Sequence, residues 1–225
     1  MERQEEAVEE KINSNDHYYS ENPQVESAEK EITFEFKNQK FSFITDRGVF
    51  SKDHVDSGSL LLLEALFSEL DNLSTLEQVN FQKIVKGNKL DLGAGYGVLA
   101  IVLQKFYPEG RIILSDINER ALALCLKNAE RNLIKNLKIR KSAGFEKIPE
   151  NFDLILSNPP IRTGKENVQT LLRDAKSHLN SGGLMLVVIG KKQGASSYGK
   201  YLESIFPETW ISEKKKGFTV FACRN

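Results

Sequence analysis

From about residue 88 to the end of the chain, short apolar runs alternate with longer stretches of helical periodicity, and this alternation predicts the architecture. Read in order, it predicts a strand ending at Asp91, a helix from about Gly97 to Phe106, a strand from Arg111 to Asp116 and a helix from Asn118 to about Asn132. Strands over Leu137 to Lys141 and Phe152 to Ser157 follow, then a helix from about Lys165 to Leu179, a strand from Leu184 to Gly190 and a helix over Ser197 to Ile205. Two last runs, Trp210-Ile211-Ser212 and Phe218 to Cys223, flank a charged turn, Glu213 to Gly217, and add a hairpin with one antiparallel strand. Such alternation specifies an α/β fold with a doubly wound, mostly parallel sheet of seven strands.

Upstream the period changes. Glu31 to Phe36 and Lys40 to Thr45 alternate apolar with polar residues across a short Asn38-Gln39 turn, which reads as a β-hairpin. A hairpin is marginal alone, so it is expected to dock on the main sheet or extend a substrate surface. Asp56 or Ser57 caps a helix that opens with Gly58-Ser59-Leu60-Leu61-Leu62 and ends by the Asp71-Asn72-Leu73-Ser74 break. The expected organisation is an acidic tail at 1–15, an N-terminal hairpin extension at 16–56 and the main α/β domain at 57–225.

The 225 residues carry no net charge, which gives no overall signal for a nucleic-acid partner, but the charge is uneven. Residues 1–30 hold nine acidic and three basic side chains, so the rest of the chain is net positive by six. The tail reads as a solvated, disordered segment, and Tyr18 or Tyr19 beyond it could offer a face for base stacking. Lys127, Arg131, Lys135, Lys138, Arg140, Lys141 and Lys147 form a basic region that is a candidate RNA contact or simply a solvated face. No apolar run suits a membrane span or a signal peptide, and two cysteines, Cys125 and Cys223, are too few for a disulfide scaffold or a zinc site. A reducing cytoplasm with both thiols in the core is the expectation.

Chemistry concentrates in three places. Asn88 to Gly97 runs from an apolar strand through Asp91 into Gly93, Gly95 and Gly97, where glycines let the backbone turn and bring its N–H groups close to a ligand. The spacing is G-x-G-x-G, whereas a dinucleotide fingerprint is G-x-G-x-x-G, so it points away from NAD. About twenty residues on, the next strand ends in Asp116, where a carboxylate accepts from the two hydroxyls of a ribose. Third, Phe152 to Ser157 runs straight into Asn158-Pro159-Pro160.

These three features, in this order, resemble the class I S-adenosyl-L-methionine-dependent methyltransferases with their Rossmann-like sheet, specifically the amino-directed branch. More narrowly, Gly48 to Leu62 and Asn158-Pro159-Pro160-Ile161-Arg162-Thr163-Gly164-Lys165 look like the small, single-domain relatives of the RsmC family of 16S ribosomal RNA guanine-N2 methyltransferases. The resemblance covers roughly Asp16 to the C-terminus. It implies S-adenosyl-L-methionine as cofactor, with Gly93, Ala94 and Gly95, and Gly97 behind them, approaching its methionine and ribose. Asp91 would hold the methionine amino group, Asp116 the ribose hydroxyls, and Ile117 the adenine face. Phe50, Asp56 and Gly58 are expected near the methionine end. Many relatives carry an Asp for the adenine amino group at the position of Ala143, so here backbone atoms or Ser142 would replace it.

Asn158, Pro159 and Pro160 are the expected catalytic turn. An exocyclic amine on a purine is a poor nucleophile because its lone pair is delocalised. Hydrogen bonds to the Asn158 side-chain oxygen and the Pro159 carbonyl would favour a pyramidal nitrogen aimed at the methyl group. Ile161 stands where broader amino-methyltransferases put an aromatic, and the narrower relatives accept it. Arg162, Lys165, Lys191 and Lys192 are expected to contact the substrate, ribosomal RNA or the small ribosomal subunit. No metal, covalent nucleophile or membrane is required, and His17, His54 and His178 lie outside the core motifs. Adenine N6, a protein glutamine and a non-catalytic binding fold are the alternatives.

Overall fold

The computed structural model describes residues 25–71 and 75–225. The acidic tail and Tyr18 and Tyr19 lie outside the described residues.

Strands β1 (Lys30–Phe36) and β2 (Gln39–Thr45) pair antiparallel, with Phe36 opposite Gln39. The turn is therefore Lys37-Asn38, one residue before the expected Asn38-Gln39. Both turn residues have positive φ, 45° and 61°, the backbone twist that a two-residue hairpin needs. The hairpin forms a sheet of its own and does not extend the main one.

Helices α1 (Ser57–Asp71) and α2 (Thr75–Lys86) precede β3 (Lys89–Leu92). α2 has weak apolar periodicity and was not expected from the pattern. Helix α3 (Val98–Phe106), β4 (Ile112–Asp116), α4 (Glu119–Arg131), β5 (Leu137–Lys141) and β6 (Phe152–Ser157) follow as the alternation predicts. Next come α5 (Lys165–Ser177), β7 (Leu179–Gly190), α6 (Ala195–Ile205), β8 (Glu208–Lys215) and β9 (Phe218–Arg224).

The seven main strands run in the order β5-β4-β3-β6-β7-β9-β8, with β9 antiparallel to both neighbours. Central strands read as unbroken apolar runs because both faces are covered. Leu154, Leu156, Leu184 and Leu186 pack with α1, α3, α4 and the hairpin, while Ile155, Met185 and Val187 pack with α5 and α6. Two boundaries move. β7 begins at Leu179 and carries an irregularity opposite Phe152–Leu154, and the final turn is Lys216-Gly217 (φ 52° and 82°). Glu213, Lys214 and Lys215 thus belong to the edge strand β8, where charge discourages pairing with another chain.

Two polar side chains join the elements. Asn128 of α4 accepts from Ile44 N (2.6 Å) and donates to Ile44 O and Tyr96 O (both 2.9 Å), and Asn132 one turn later accepts from Ser42 N and donates to Ser42 O. They satisfy the open edge of β2 as a neighbouring strand would. At the other end of the sheet, fully buried Lys89 donates to Val85 O, Tyr107 O and Glu109 O at 2.9, 3.0 and 2.6 Å. Burial pushes its ammonium down to about 8, yet three carbonyls match its three donors.

Candidate active site

The C-terminal ends of β3, β4, β5 and β6 open onto a cavity of about 1050 Å³, the upper end of what a ligand site needs and room for a cofactor plus part of a substrate. The strand ends, the loop after β2 and the start of α5 wall it.

Gly93 and Gly95, with φ of 74° and 54°, line the cavity, and a Cβ built on either would meet nothing within 4 Å. That is the geometry of a cradle a ligand can fill against bare backbone. The expected N–H donation is different, however. Gly93 N and Ala94 N both donate to Ser115 O (2.9 Å) and Gly95 N donates to Asp116 Oδ2 (2.8 Å), so these amides hold the loop against β4. Gly97 does not line the cavity. At φ 94° its missing Cβ leaves room for Cys125 Sγ, Ile101 and Leu114, each 3.2 Å from where that atom would stand.

Asp116 and Ile117 line the wall, and Asp116 Oδ1 accepts from Asn118 N (2.9 Å). Burial raises the Asp116 carboxyl above its ordinary range despite these bonds. Asp91 is 0% exposed and absent from the wall; its Oδ2 accepts from Ala100 N (3.0 Å), and Oδ1 finds no partner among the described residues. Burial first, then the nearby Asp116 charge, pushes it up to about 7.

Ala143 lies in the wall, but the neighbouring Ser142 hydroxyl is committed to its own loop, donating to Gly144 O and accepting from Lys147 N, both at 3.0 Å. Phe50 lines the rim and is 44% exposed. Its loop is pinned by Asn118 Nδ2 to Gly48 O (2.9 Å) and Tyr96 OH to Ser51 O (3.4 Å).

Asn158, Pro159, Pro160, Ile161 and Arg162 all face the cavity. Asn158 Nδ2 donates to Asp56 Oδ2 (2.8 Å) and Ser59 Oγ (3.0 Å). Pro159 O accepts from Ile161 N (2.9 Å) and keeps its second lone pair. Asp56 therefore stands beside the catalytic turn as well as at the cavity. Gly58 is not in the wall; a Cβ there would meet Asp56 Oδ2 at 2.9 Å and the Phe218 ring at 3.2 Å. Lys165, Lys191 and Lys192 are exposed and outside the wall, with Lys191 N held by Gly217 O (2.7 Å).

Pattern reading missed Ser59, Tyr96, Phe145, Asn167, His178 and Gln193, all of which line the cavity. His178 lay outside every motif, yet its ring stacks on Phe145 with centroids 4.4 Å apart. Only Ser59, inside the capping segment already singled out, left a local trace. The basic region is largely neutralised: Lys127, Arg131, Arg140 and Lys141 pair with Glu29, Glu31, Glu150 and Glu119. Among the described residues no group of three or more His, Cys, Asp or Glu is placed to hold a metal ion, and no helix is long and apolar enough to cross a membrane.

The strand order and one cavity shared by the glycine turn, Asp116 and an Asn-Pro-Pro turn define a class I methyltransferase fold. Residues 40–222 match the family described as Methyltransferase small domain, and the chain belongs to that S-adenosyl-L-methionine-dependent family. It is similar to the uncharacterized protein YbxB of Bacillus subtilis, 39% identical over 93% of this chain and 98% of that protein. The ribosomal RNA small subunit methyltransferase C of Haemophilus influenzae is 32% identical over 79% of this chain and 49% of its own length. The solved T. thermophilus 16S rRNA N2 G1207 methyltransferase (RsmC), in complex with AdoMet and guanosine, superposes with a TM-score of 0.75 at 25% identity, covering 90% of this chain and 52% of that one. The chain thus spans about half the length of these two methyltransferases.

Proposed function

We propose that this chain transfers a methyl group from S-adenosyl-L-methionine to an exocyclic amine, guanine N2 of small-subunit ribosomal RNA. The observation that carries the reading is the Asn158 amide: both its N–H donors are bound by Asp56 and Ser59, so its oxygen is the group left for a target amine in the cavity. Bound S-adenosyl-L-methionine supplies a methyl group on positively charged sulfur. Gly93 and Gly95 leave the space for its backbone-sized portion, Asp116 keeps lone pairs for ribose hydroxyls, and Ile117 packs on the base. Asn158 Oδ1 and Pro159 O then accept from the amine, favouring a pyramidal nitrogen and fixing its approach. In-line positioning of this kind supplies roughly 7–11 kcal/mol of a barrier.

Guanine N2 and 16S RNA rest on the likeness to RsmC proteins and on Asn158 to Lys165, which resemble the small members of that group. Arg162, Lys165, Lys191 and Lys192 would meet RNA phosphate around the mouth. Residues 57–225 would form the catalytic unit, with the hairpin and its following loop closing the cofactor wall, in a cytoplasmic enzyme.

The test is transfer of labelled methyl to ribosomal RNA and to subunits from a strain lacking the protein, followed by nucleoside analysis, with Asn158→Ala alongside. Labelled N2-methylguanosine that disappears in the variant supports the reading. Label on another nucleoside, or on protein alone, replaces the substrate and keeps the donor.

A further inference from the structure

We propose that Asp56 is a positioning residue for methyl transfer: it selects the orientation of the Asn158 side-chain amide that presents oxygen, not nitrogen, to the cavity. The inference rests on the amine-methylation reading of the site.

A carboxylate only accepts hydrogen bonds, so the amide atom beside Asp56 Oδ2 must be the nitrogen. Turned by half a rotation, Asn158 would set its own oxygen 2.8 Å from the Asp56 oxygen and aim N–H groups at an incoming amine, donor against donor. Each contact would then be lost or repulsive. Ser59 Oγ takes the second N–H at 3.0 Å, so both donors are spent. No described residue donates to Asn158 Oδ1.

Asp56 can impose this because it is itself held. It caps α1, its Oδ2 accepting from Ser59 N (2.9 Å) while its carbonyl accepts from Leu60 N (3.0 Å). Gly58 leaves the carboxylate its place, since a Cβ there would stand 2.9 Å from Oδ2. One oxygen thus ties the start of α1 to the end of β6, 102 residues apart. Asp56, Gly58 and Ser59 form one device.

The test compares wild type with Asp56→Ser, which keeps a helix cap but is too short to reach Asn158, and Asp56→Asn, whose oxygen can accept the same two bonds. In the free enzyme, the Asn158 side-chain amide protons, assigned by their absence in Asn158→Ala, are expected to exchange slowly in wild type and Asp56→Asn and fast in Asp56→Ser. With S-adenosyl-L-methionine and ribosomal RNA, Asp56→Ser is expected to lower kcat about 10- to 100-fold, the scale of a misplaced reacting group, with the cofactor Kd within about threefold. Asp56→Asn should recover most of that rate. Equal amide exchange in all three proteins, a loss confined to Kd or KM, or an Asp56→Asn as slow as Asp56→Ser overturns the proposal. If wild type methylates no RNA, the functional reading fails separately, and amide exchange still decides whether Asp56 sets the amide.

Discussion

Gly93 and Gly97 sit four residues apart and do opposite work. Beside Gly93 there is open cavity, so Gly93→Ala should place its methyl where the cofactor lies; its φ of 74° adds strain of about 1–2 kcal/mol. Calorimetric titration is expected to show at least a tenfold rise in the S-adenosyl-L-methionine Kd. Gly97→Ala would meet three packed atoms at 3.2 Å, so it should cost roughly 1–3 kcal/mol in denaturant unfolding. Asp91 shows the limit of a motif. Its carboxyl, pushed up to about 7 from an ordinary 3.8, keeps its proton in the folded state while the unfolded chain has lost it. That contribution is full below pH 4 and is lost as pH rises to about 7, by at most about 4 kcal/mol. Unfolding at pH 5 and pH 8 should therefore show a decline in wild type that Asp91→Asn lacks. The acidic residue was visible in the sequence, but burial behind the loop depends on how α3 packs over it.

Elements were read well where one strand or helix carries its own pattern and poorly where its partner decides. The hairpin alternation was clear, yet its mate is a helix. Asn128 and Asn132 stand one turn apart on α4, and nothing local distinguishes them from solvated asparagines. Asn128→Ala would leave Ile44 N–H and two carbonyls without this partner, each unmet buried group costing about 1–3 kcal/mol. The expected outcome is a lower unfolding midpoint and faster hydrogen exchange at the Ile44 amide. Helix α2 escaped detection because its apolar stripe is thin. The last turn shifted because Glu213 to Lys215, charged as a loop would be, lie on an edge strand that tolerates charge on both faces.

Over the whole molecule, net charge is zero, so RNA attraction has to come from local cations rather than an overall field. Four members of the basic region, Lys127, Arg131, Arg140 and Lys141, already face carboxylates. Lys191 and Lys192 remain exposed at the end of β7, on the ligand side of the sheet. Replacing both by alanine should weaken RNA binding, flatten the dependence of log K on log salt by up to about 2, and leave cofactor affinity unchanged. Measured binding that keeps its salt slope would remove these two lysines from the RNA surface.

What the sequence by itself determined is the strand and helix alternation, the parallel sheet that follows from it, and the glycine, aspartate and Asn-Pro-Pro turns at its strand ends. Those depend on periodicity and backbone geometry, which are local. Tertiary structure alone decided which side chains meet: that Asp91 turns inward, that His178 reaches the cavity, that paired acids quiet the basic region, and that Asp56 holds Asn158. Each of these joins residues far apart in the chain, and a hydrogen bond across that separation leaves no pattern in either segment.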